Sequence, residues 1–268
     1  MLLVKMMGGL GNQLFQYSFA RWVENRLGVK VWLDTLFFLY DRSRRPGLGR
    51  LGVRFRRSPG GRFLWYRLRP GRFVRCEEGN IDALLESRTI PKNIFFWGYW
   101  QKTSYAIEGR PGILEGFYRF PKRKIVRELA AEILAFDSLS IHVRRGDYRA
   151  IPAFALLSRD YYGKALAAVG AEKATKWYLF SDEKIPLNEL FETSGPIVRV
   201  ADYGLRDYEE LYLMSLCKRN VAANSTFSWW GSFLNEREGR RIAMPRGWMT
   251  IQDGFSISNY LFPGAIAI

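Results

Sequence analysis

The residues best suited to chemistry form one string near the middle of the chain, Ser140-Ile141-His142-Val143-Arg144-Arg145-Gly146-Asp147-Tyr148. His142 is the only histidine of the protein, and two arginines follow it closely. A guanidinium group offers a rigid fork of donors that matches phosphate oxygens, so Arg144 and Arg145 indicate an anionic ligand. The alternative for this string alone is a solvated arginine pair beside a structural histidine.

The string also has the pattern of a buried strand that ends in polar groups. The two-residue period of a strand places Ser140, His142 and Arg144 on one face and the apolar residues between them on the other. Parallel strands of α/β proteins are normally apolar on both faces, and ligands bind beyond their carboxyl ends. The break in the apolar pattern therefore predicts a ligand site at the end of this strand.

Polar side chains follow two later predicted strands in the same way. Asp182 follows the first of them, and its carboxylate could accept the two N–H groups of a guanine edge or only cap the next helix. Asn224, Ser225 and Thr226 follow the second and open a helix. Their hydroxyl and amide groups could hold phosphate oxygens or serve only as a helix cap, so both interpretations stay open for each segment.

A glycine-rich string, Gly8-Gly9-Leu10-Gly11-Asn12-Gln13, connects the first predicted strand to an amphipathic helix. Bare backbone at the start of a helix attracts anions, although a tight packing turn would have the same composition. The dinucleotide fingerprint requires a further glycine where this chain has Leu14, and no lysine follows as in a Walker loop. The string therefore argues against an NAD site and leaves an anion-binding turn or a packing turn.

Metal ligands are scarce in the sequence. A single histidine excludes a multi-histidine site, the two cysteines lie far apart, and no Asp-x-Asp pair occurs. If a phosphate group leaves during the reaction, arginines and a helix terminus must stabilise its charge in place of a divalent metal. We therefore expect neither a metal nor a cofactor.

Length and composition describe a globular protein of 268 residues, 48% of them hydrophobic, with one large domain or two modest ones. The apolar run at 1–7 is too short for a signal peptide or a membrane span, and no later apolar run reaches roughly 18 residues. The two cysteines fit reduced thiols. We therefore expect a cytoplasmic protein that could still contact a membrane from its inner face.

The net charge of +15 comes almost entirely from one segment, residues 42–75, which contains twelve arginines and no acidic residue. Aromatic residues are interleaved with these arginines. Such a segment suits peripheral contact with an anionic membrane or glycolipid, contact with nucleic acid, or only the solvated surface of a subdomain. We expect no nucleic-acid partner, and the other two interpretations stay open.

Predicted strands and helices alternate along the chain. A strand at 2–6, an amphipathic helix that ends at Gly28 and a strand at 29–33 form a βαβ opening. The second half repeats the order strand, polar tip, helix. We therefore predict an α/β fold with two domains, 1–136 and 137–268, and an Arg-rich insertion at about 36–90 in the first domain.

A set of strings runs in order through the chain. They are Gly8-Gly9-Leu10-Gly11-Asn12-Gln13, Phe15-Gln16-Tyr17, Gly98-Tyr99-Trp100-Gln101, His142-Val143-Arg144-Arg145-Gly146-Asp147-Tyr148, Tyr161-Tyr162, Phe180-Ser181-Asp182-Glu183, Leu211-Tyr212-Leu213-Met214-Ser215-Leu216-Cys217, Asn224-Ser225-Thr226-Phe227-Ser228-Trp229-Trp230-Gly231, Pro245 and Trp248. In this order they resemble the inverting α-1,2-fucosyltransferases of glycosyltransferase family 11, of the bacterial type. The resemblance covers nearly the whole chain except about 36–90.

The resemblance implies a GT-B-like architecture, with two Rossmann-like domains that face each other across a cleft. GDP-fucose would be held mainly by residues 137–268. Arg144 would contact its β-phosphate with support from Arg145, while His142 and Asp182 would lie near the guanosine. The other substrate-binding residues that the resemblance implies are Asn224, Ser225 and Thr226 at the diphosphate or the fucose, and Gly11 and Asn12 closing over the phosphates.

The reaction that the resemblance implies is the transfer of L-fucose from GDP-β-L-fucose to the 2-hydroxyl of a galactose residue, with inversion and without a metal. Negative charge collects on the β-phosphate as the fucose leaves, and Arg144 would stabilise it. A carboxylate could take the proton of the attacking hydroxyl. Asp147 is the first candidate, a structural partnership with the arginines is its competing role, and Glu183 is a weaker candidate.

The acceptor stays open at this point. A galactose-terminated oligosaccharide or a lipid-linked glycan is implied, with the Arg-rich insertion on the acceptor side. Animal relatives have an N-terminal membrane anchor that this sequence lacks, which predicts a bacterial-type enzyme at the cytoplasmic face of the membrane. Two alternatives are a fucosyltransferase of different linkage and a protein that binds anionic membranes or glycolipids on an inactive α/β scaffold.

Overall fold

The structure, a computed structural model, consists of two compact units, Met1–Phe120 and Pro121–Ile268. Each unit is built on a parallel sheet with helices, which confirms the predicted α/β class. The division lies one helix before the boundary predicted after residue 136. The structure describes residues 1–41, 43–58, 73–87, 89–152, 154–193, 196–247 and 257–268.

The described part of the first unit contains a four-stranded sheet with the order β2-β1-β4-β3. Its strands are β1 (Leu2–Lys5), β2 (Val31–Asp34), β3 (Val74–Glu77) and β4 (Ile94–Trp97). Its α-helices are α1 (Leu10–Leu27), α2 (Phe37–Tyr40), α3 (Ile81–Glu86) and α4 (Thr103–Arg119). α1 ends as predicted at Gly28, which adopts the left-handed conformation at φ 65°.

The long helix α4 was not predicted from the sequence, because it contains Pro111 and several glycines. The glycines allow α4 to pack closely against α1. A Cβ atom on Gly109 would lie 2.0 Å from Ser18 Oγ, and one on Gly112 would lie 2.3 Å from the Tyr17 hydroxyl. The close packing of the two helices therefore compensates for the low helix propensity of these residues.

The described part of the second unit contains a six-stranded sheet with the order β10-β9-β8-β5-β6-β7. Its strands are β5 (Ser138–Val143), β6 (Lys176–Ser181), β7 (Ile197–Arg199), β8 (Arg219–Val221), β9 (Arg241–Met244) and β10 (Ala265–Ala267). Its α-helices are α5 (Lys124–Ala135), α6 (Arg159–Val169), α7 (Asp207–Leu216) and α8 (Thr226–Phe233).

β5 is buried along its whole length, and its two faces differ as the sequence predicts. Leu139, Ile141 and Val143 join an apolar cluster with α6. On the other face Ser140 is hydrogen-bonded, accepting the Asn220 Nδ2–H at 2.6 Å. The strand therefore continues the core on one side and presents polar groups on the other.

α5 belongs to the second unit because its apolar face packs on that sheet. Val126, Leu129 and Ile133 form one buried cluster with Tyr178 and Phe180 of β6. The predicted boundary placed this helix in the first domain. Sequence composition changes little at residues 120–136, so only the packing of the helix shows to which unit it belongs.

The Arg-rich segment is described in part, since residues 42 and 59–72 lie outside the described residues. In the described part, the Arg56 Nη1 lies 2.6 Å from Glu24 Oε1, and the Arg57 Nε–H donates to Thr35 Oγ1 at 2.8 Å. These arginines therefore attach the segment to α1 and to Thr35, which directly follows β2. Across the described residues, no helix combines the length and the apolar composition that a bilayer crossing requires.

Candidate active site

The predicted site residues of the second unit lie where its sheet changes direction. β5 pairs with both β6 and β8, and the chain continues from β5 to β6 and β7 on one side before it returns to β8 on the other. Such a switch point opens a crevice beyond the carboxyl ends of the two strands. Arg144 and Arg145 leave β5 at this point, and Asn224 follows the end of β8.

Arg144 is held between two carboxylates. Its Nη2 lies 2.7 Å from Asp147 Oδ1, and its Nη1 lies 3.2 Å from Asp182 Oδ2. The carbon of the guanidinium group lies 5.4 Å from the centre of the Tyr148 ring. These contacts fix the orientation of the fork, and they show Asp147 in its competing role as a structural partner of an arginine.

Arg145 contacts the end of β6 through its backbone and its side chain. Its N–H donates to Asp182 Oδ1 at 3.1 Å, and its Nε lies 3.8 Å from Glu183 Oε1. Glu183 also accepts two hydrogen bonds from the guanidinium of Arg149, at 2.8 and 3.3 Å. Asp182 thus contacts both neighbouring arginines, while its predicted place near a guanosine stays a prediction.

His142 is buried at the end of β5 with 5% of its surface exposed. Burial, and secondarily the charge of Arg144, lowers the pKa of His142 to about 3, so the imidazole is neutral at physiological pH. Its ring centre lies 5.7 Å from that of Phe227, and the Tyr162 hydroxyl donates to its backbone carbonyl at 3.2 Å. A neutral imidazole here offers one donor and one acceptor to a ligand.

The loop after β8 contains the other predicted residues. Ser225 is the N-cap of α8, and its Oγ accepts the Phe227 N–H at 3.3 Å. Thr226 is the first residue of that helix. The Tyr148 hydroxyl donates to the carbonyl of Asn224 at 3.0 Å, which ties this loop to the loop after β5. The helix-cap role of Ser225 is therefore present, and its ligand role stays a prediction.

Three buried nitrogen atoms at the end of β5 have no hydrogen-bond partner among the described residues. They are His142 Nδ1, Arg144 Nε and Arg145 Nε. Buried polar groups in folded proteins are nearly always hydrogen-bonded. They lie together at the switch point, where the polar groups of a ligand could hydrogen-bond to them.

Gly11 and Asn12 belong to the first unit, in the first turn of α1. The turn before them requires glycine, because Gly8 has φ +76° and a Cβ there would lie 2.6 Å from Asn12 Nδ2. Asn12 Oδ1 accepts the Gln101 Nε2–H at 2.9 Å. The packing role of this turn is therefore observed, and its predicted contact with phosphates stays a prediction.

Two tyrosines hold the site together without having been predicted to do so. Tyr148 contacts Arg144 with its ring and Asn224 with its hydroxyl, and Tyr162 of α6 reaches the carbonyl of His142. Both stand in the strings that resemble the family. Their roles depend on which loops and helices are neighbours in space, and the sequence pattern does not contain that information.

Metal ligands do not gather in the described part of the chain, where no three His, Cys, Asp or Glu side chains lie close enough to hold an ion. Cys76 and Cys217 are both buried free thiols. Trp248, the last residue of the family strings, lies outside the described residues.

Comparison with known sequences identifies the family. The sequence model of glycosyl transferase family 11 matches residues 81–253, which include every predicted site residue of the second unit. Over 287 aligned residues the chain is 26% identical to the O-antigen biosynthesis glycosyltransferase WbnK of Escherichia coli, covering 90% of this chain and 92% of that protein. It is also 24% identical over 277 residues to an alpha-1,2-colitosyltransferase of Escherichia coli, covering 92% of each.

Comparison with solved structures confirms the predicted GT-B-like α/β fold. The chain superposes on the crystal structure of the fucosyltransferase NodZ from Bradyrhizobium with a TM-score of 0.52 and 15% sequence identity. This similarity covers 87% of the present chain and 93% of the other. From its matching sequence and its fold, the chain belongs to glycosyltransferase family 11 and is a glycosyltransferase.

Proposed function

We propose that the protein transfers L-fucose from GDP-β-L-fucose to the 2-hydroxyl of a galactose residue in a glycan acceptor, with inversion at the fucose and without a metal. One observation carries this proposal. His142, Arg144 and Arg145 place buried nitrogens without hydrogen-bond partners among the described residues at the β5–β8 switch point. A nucleoside diphosphate has the anionic and polar groups that would satisfy them.

The departing diphosphate is the group that Arg144 stabilises. Bond breaking at fucose C1 moves negative charge onto the β-phosphate, so a fixed cation binds the transition state more strongly than the bound donor. Asp147 and Asp182 hold the guanidinium of Arg144 in one orientation before the donor arrives. This preorganisation supports a reaction in which arginine supplies the charge that a divalent metal supplies elsewhere.

The remaining predicted residues of the second unit complete the donor site in this proposal. His142 and Asp182 bind near the guanosine, Arg145 supports the diphosphate, and Asn224, Ser225 and Thr226 contact the diphosphate or the fucose. Their positions around one switch point support these assignments.

Proton removal from the attacking hydroxyl requires a carboxylate, and Asp147 remains our first candidate. It follows the arginines just beyond the end of β5, with its Oδ1 2.7 Å from Arg144 Nη2. Glu183 is the alternative, although Arg149 engages both of its oxygens. If Asp147 is the base, an Asp147→Asn variant should still hydrolyse GDP-fucose slowly but should not transfer fucose to the acceptor.

The names of the relatives support the donor and the linkage. NodZ is a fucosyltransferase, and the colitosyltransferase of Escherichia coli makes an α-1,2 bond. Colitose is fucose without its 3-hydroxyl, so GDP-colitose is a second candidate donor. WbnK acts in O-antigen biosynthesis, which supports a bacterial surface glycan or its lipid-linked precursor as the acceptor.

A donor and acceptor screen tests the proposal. The purified protein is incubated with GDP-fucose, GDP-colitose, GDP-mannose or UDP-galactose and with galactose-terminated disaccharides, and GDP release and the NMR spectrum of the product are recorded. We expect α-1,2-fucosyl galactoside from GDP-fucose, at the same rate with EDTA. Transfer from GDP-colitose alone would show that GDP-colitose, and not GDP-fucose, is the donor. A product linked at another hydroxyl of galactose would contradict the proposed α-1,2 linkage, and loss of rate in EDTA would contradict metal independence.

A further inference from the structure

The first unit has a switch point of its own, between β1 and β4. The chain continues from β1 to β2 on one side of the sheet, while β3 and β4 lie on the other side. Ligands of open α/β sheets bind beyond the carboxyl ends of the two strands that border such a point. The first turn of α1, which follows the loop after β1, contacts the loop after β4, because Gln101 Nε2 donates to Asn12 Oδ1 at 2.9 Å.

The turn after β4 is held in a strained conformation. Trp100 adopts φ 58°, and it is the only non-glycine residue with a positive φ among the described residues. Such a conformation costs a bulky side chain on the order of 1–2 kcal/mol and persists where the surroundings fix it. Here the Trp100 ring is fully buried and stacks on Phe19, with ring centres 3.7 Å apart.

Glu78 fixes the same turn from the side of β3. Its Oε1 accepts the backbone N–H groups of Tyr99 and Trp100, the latter at 2.9 Å. Gly98 makes room for this carboxylate, since a Cβ there would lie 2.6 Å from Glu78 Oε1. The buried Trp100 ring and the Glu78 carboxylate therefore hold one short, strained turn at the edge where a ligand is expected.

Tyr99 is the side chain that this turn presents. It is 43% exposed, whereas its neighbour Trp100 is fully buried. A fixed aromatic ring loses little conformational entropy when it stacks on the apolar C–H face of a pyranose ring. The side-chain amides of Asn12 and Gln101, at the same edge, can hydrogen-bond to the hydroxyl groups of a sugar. The edge thus combines an exposed aromatic ring with these side-chain amides, which are groups that suit a saccharide.

We propose that Tyr99 is the stacking platform for the acceptor sugar, and that Glu78 and Trp100 are positioning residues that hold it. This inference rests on the proposed function, because a glycosyl transfer to a glycan requires a second saccharide site. It adds to that function the residue that determines acceptor affinity, at the β1–β4 switch point of the first unit.

Kinetics of Tyr99→Ala and Tyr99→Trp, with the disaccharide galactosyl-β-1,3-N-acetylglucosamine as acceptor, test the inference. Tyr99→Ala is expected to raise the acceptor KM about ten-fold, because the sugar no longer buries an apolar face against the tyrosine ring. Tyr99→Trp should restore most of the affinity. The donor KM and the slow hydrolysis of GDP-fucose in the absence of acceptor should not change. Tyr118→Ala, which removes an 81% exposed tyrosine of the same unit, is the matched control.

Saturation-transfer NMR with the same disaccharide gives a readout that is independent of turnover. We expect a signal with the wild-type protein and a much weaker one with Tyr99→Ala. An unchanged acceptor KM in Tyr99→Ala overturns the inference and leaves the proposed function intact. A wild-type protein that releases GDP but neither binds nor uses this or any other galactoside overturns both the inference and the acceptor half of the proposed function.

Discussion

At the scale of single residues, Arg144 is the group on which the chemistry depends most. A lysine in its place keeps the charge but cannot contact two carboxylates and a phosphate with one rigid fork. We predict that Arg144→Lys lowers kcat by at least about 100-fold while the protein stays folded. The control is Arg159→Lys, which alters an exposed arginine paired with an exposed glutamate. Near-normal turnover in Arg144→Lys would show that the guanidinium of Arg144 does not stabilise the departing diphosphate.

Tyr148 provides a second prediction at this scale. Tyr148→Phe keeps the ring beside Arg144 and its stacking on Phe154, whose centre lies 4.2 Å away, but removes the hydrogen bond to the Asn224 carbonyl. A lost bond of this kind costs about 0.5–1.5 kcal/mol, so the donor KM should rise about three- to ten-fold. Tyr203→Phe, at an exposed position of the same unit, should leave the donor KM unchanged. An equal effect of both variants would mean that Tyr148 does not position the donor site.

The residue-scale predictions from the sequence succeeded where they depended on local periodicity. Alternation along β5 predicted which side chains enter the apolar core and which face the polar side. The ion pairs of Arg144 with Asp147 and Asp182 were only partly foreseen. Asp147 is close in sequence, whereas Asp182 reaches Arg144 because β6 lies beside β5, and strand order is a tertiary property.

At the scale of elements, the start of β8 depends on a buried ion pair. The Arg219 side chain is 6% exposed and binds Asp137 at 2.8 and 2.9 Å. We predict that Asp137→Asn lowers the free energy of unfolding by roughly 3 kcal/mol, because it leaves a buried guanidinium without its charged partner. Urea denaturation measures this change. Asp160→Asn, which breaks an exposed pair with Lys164, should cost little, and an equal loss in both variants would contradict the argument.

Helix α7 provides a pH-dependent prediction. Burial, together with the charges of Asp207 and Glu209, raises the pKa of Glu210 to about 7. A raised pKa in the folded state means that this carboxyl favours folding below about pH 4.5 and that the benefit is lost as pH rises through 7. Glu210→Gln should therefore raise Tm by a few degrees at pH 8 and have little effect at pH 4.5. The exposed Glu172→Gln serves as the control in the same thermal scans, and a pH-independent effect of Glu210→Gln would contradict the assignment.

Elements with strong local signals were predicted well. α1 has an apolar period and ends at the predicted Gly28. α4 was missed because Pro111 and its glycines predict a loop when taken one by one. Gly109 and Gly112 mark the face of α4 that packs closely on α1, and Gly116 makes room for Leu51 and Val53. These partners are distant in sequence, so the helix is recognised only from the tertiary contact.

At the scale of the whole molecule, the uneven charge predicts where a membrane would contact the protein. Some arginines of the Arg-rich segment attach to α1 and to Thr35, yet residues 42–75 carry twelve of the fifteen net positive charges. We predict binding to vesicles that contain anionic lipid, weakening as salt is raised, and little binding to neutral vesicles. Sedimentation with the two kinds of vesicle measures this, and equal binding to both would end the proposal of peripheral contact.

The division of chemistry between the two units is the feature that connects these scales. Each sheet has a switch point. Paired arginines and carboxylates lie beyond the strand ends in the second unit, and an exposed tyrosine and a pair of hydrogen-bonded side-chain amides follow the strands in the first. A transferase with a nucleoside diphosphate donor and a saccharide acceptor needs one site of each kind. The family membership and the physical reading of the residues therefore lead to the same enzyme class.

A crystal structure of the protein with GDP tests the central claim most directly. We predict a diphosphate in the crevice beyond β5 and β8. Its β-phosphate oxygens should lie within hydrogen-bond distance of Arg144, and the buried nitrogens of His142 and Arg145 should lie close to the nucleotide. A diphosphate bound at another edge of the second sheet, or held there by a metal ion and not by these arginines, would contradict it.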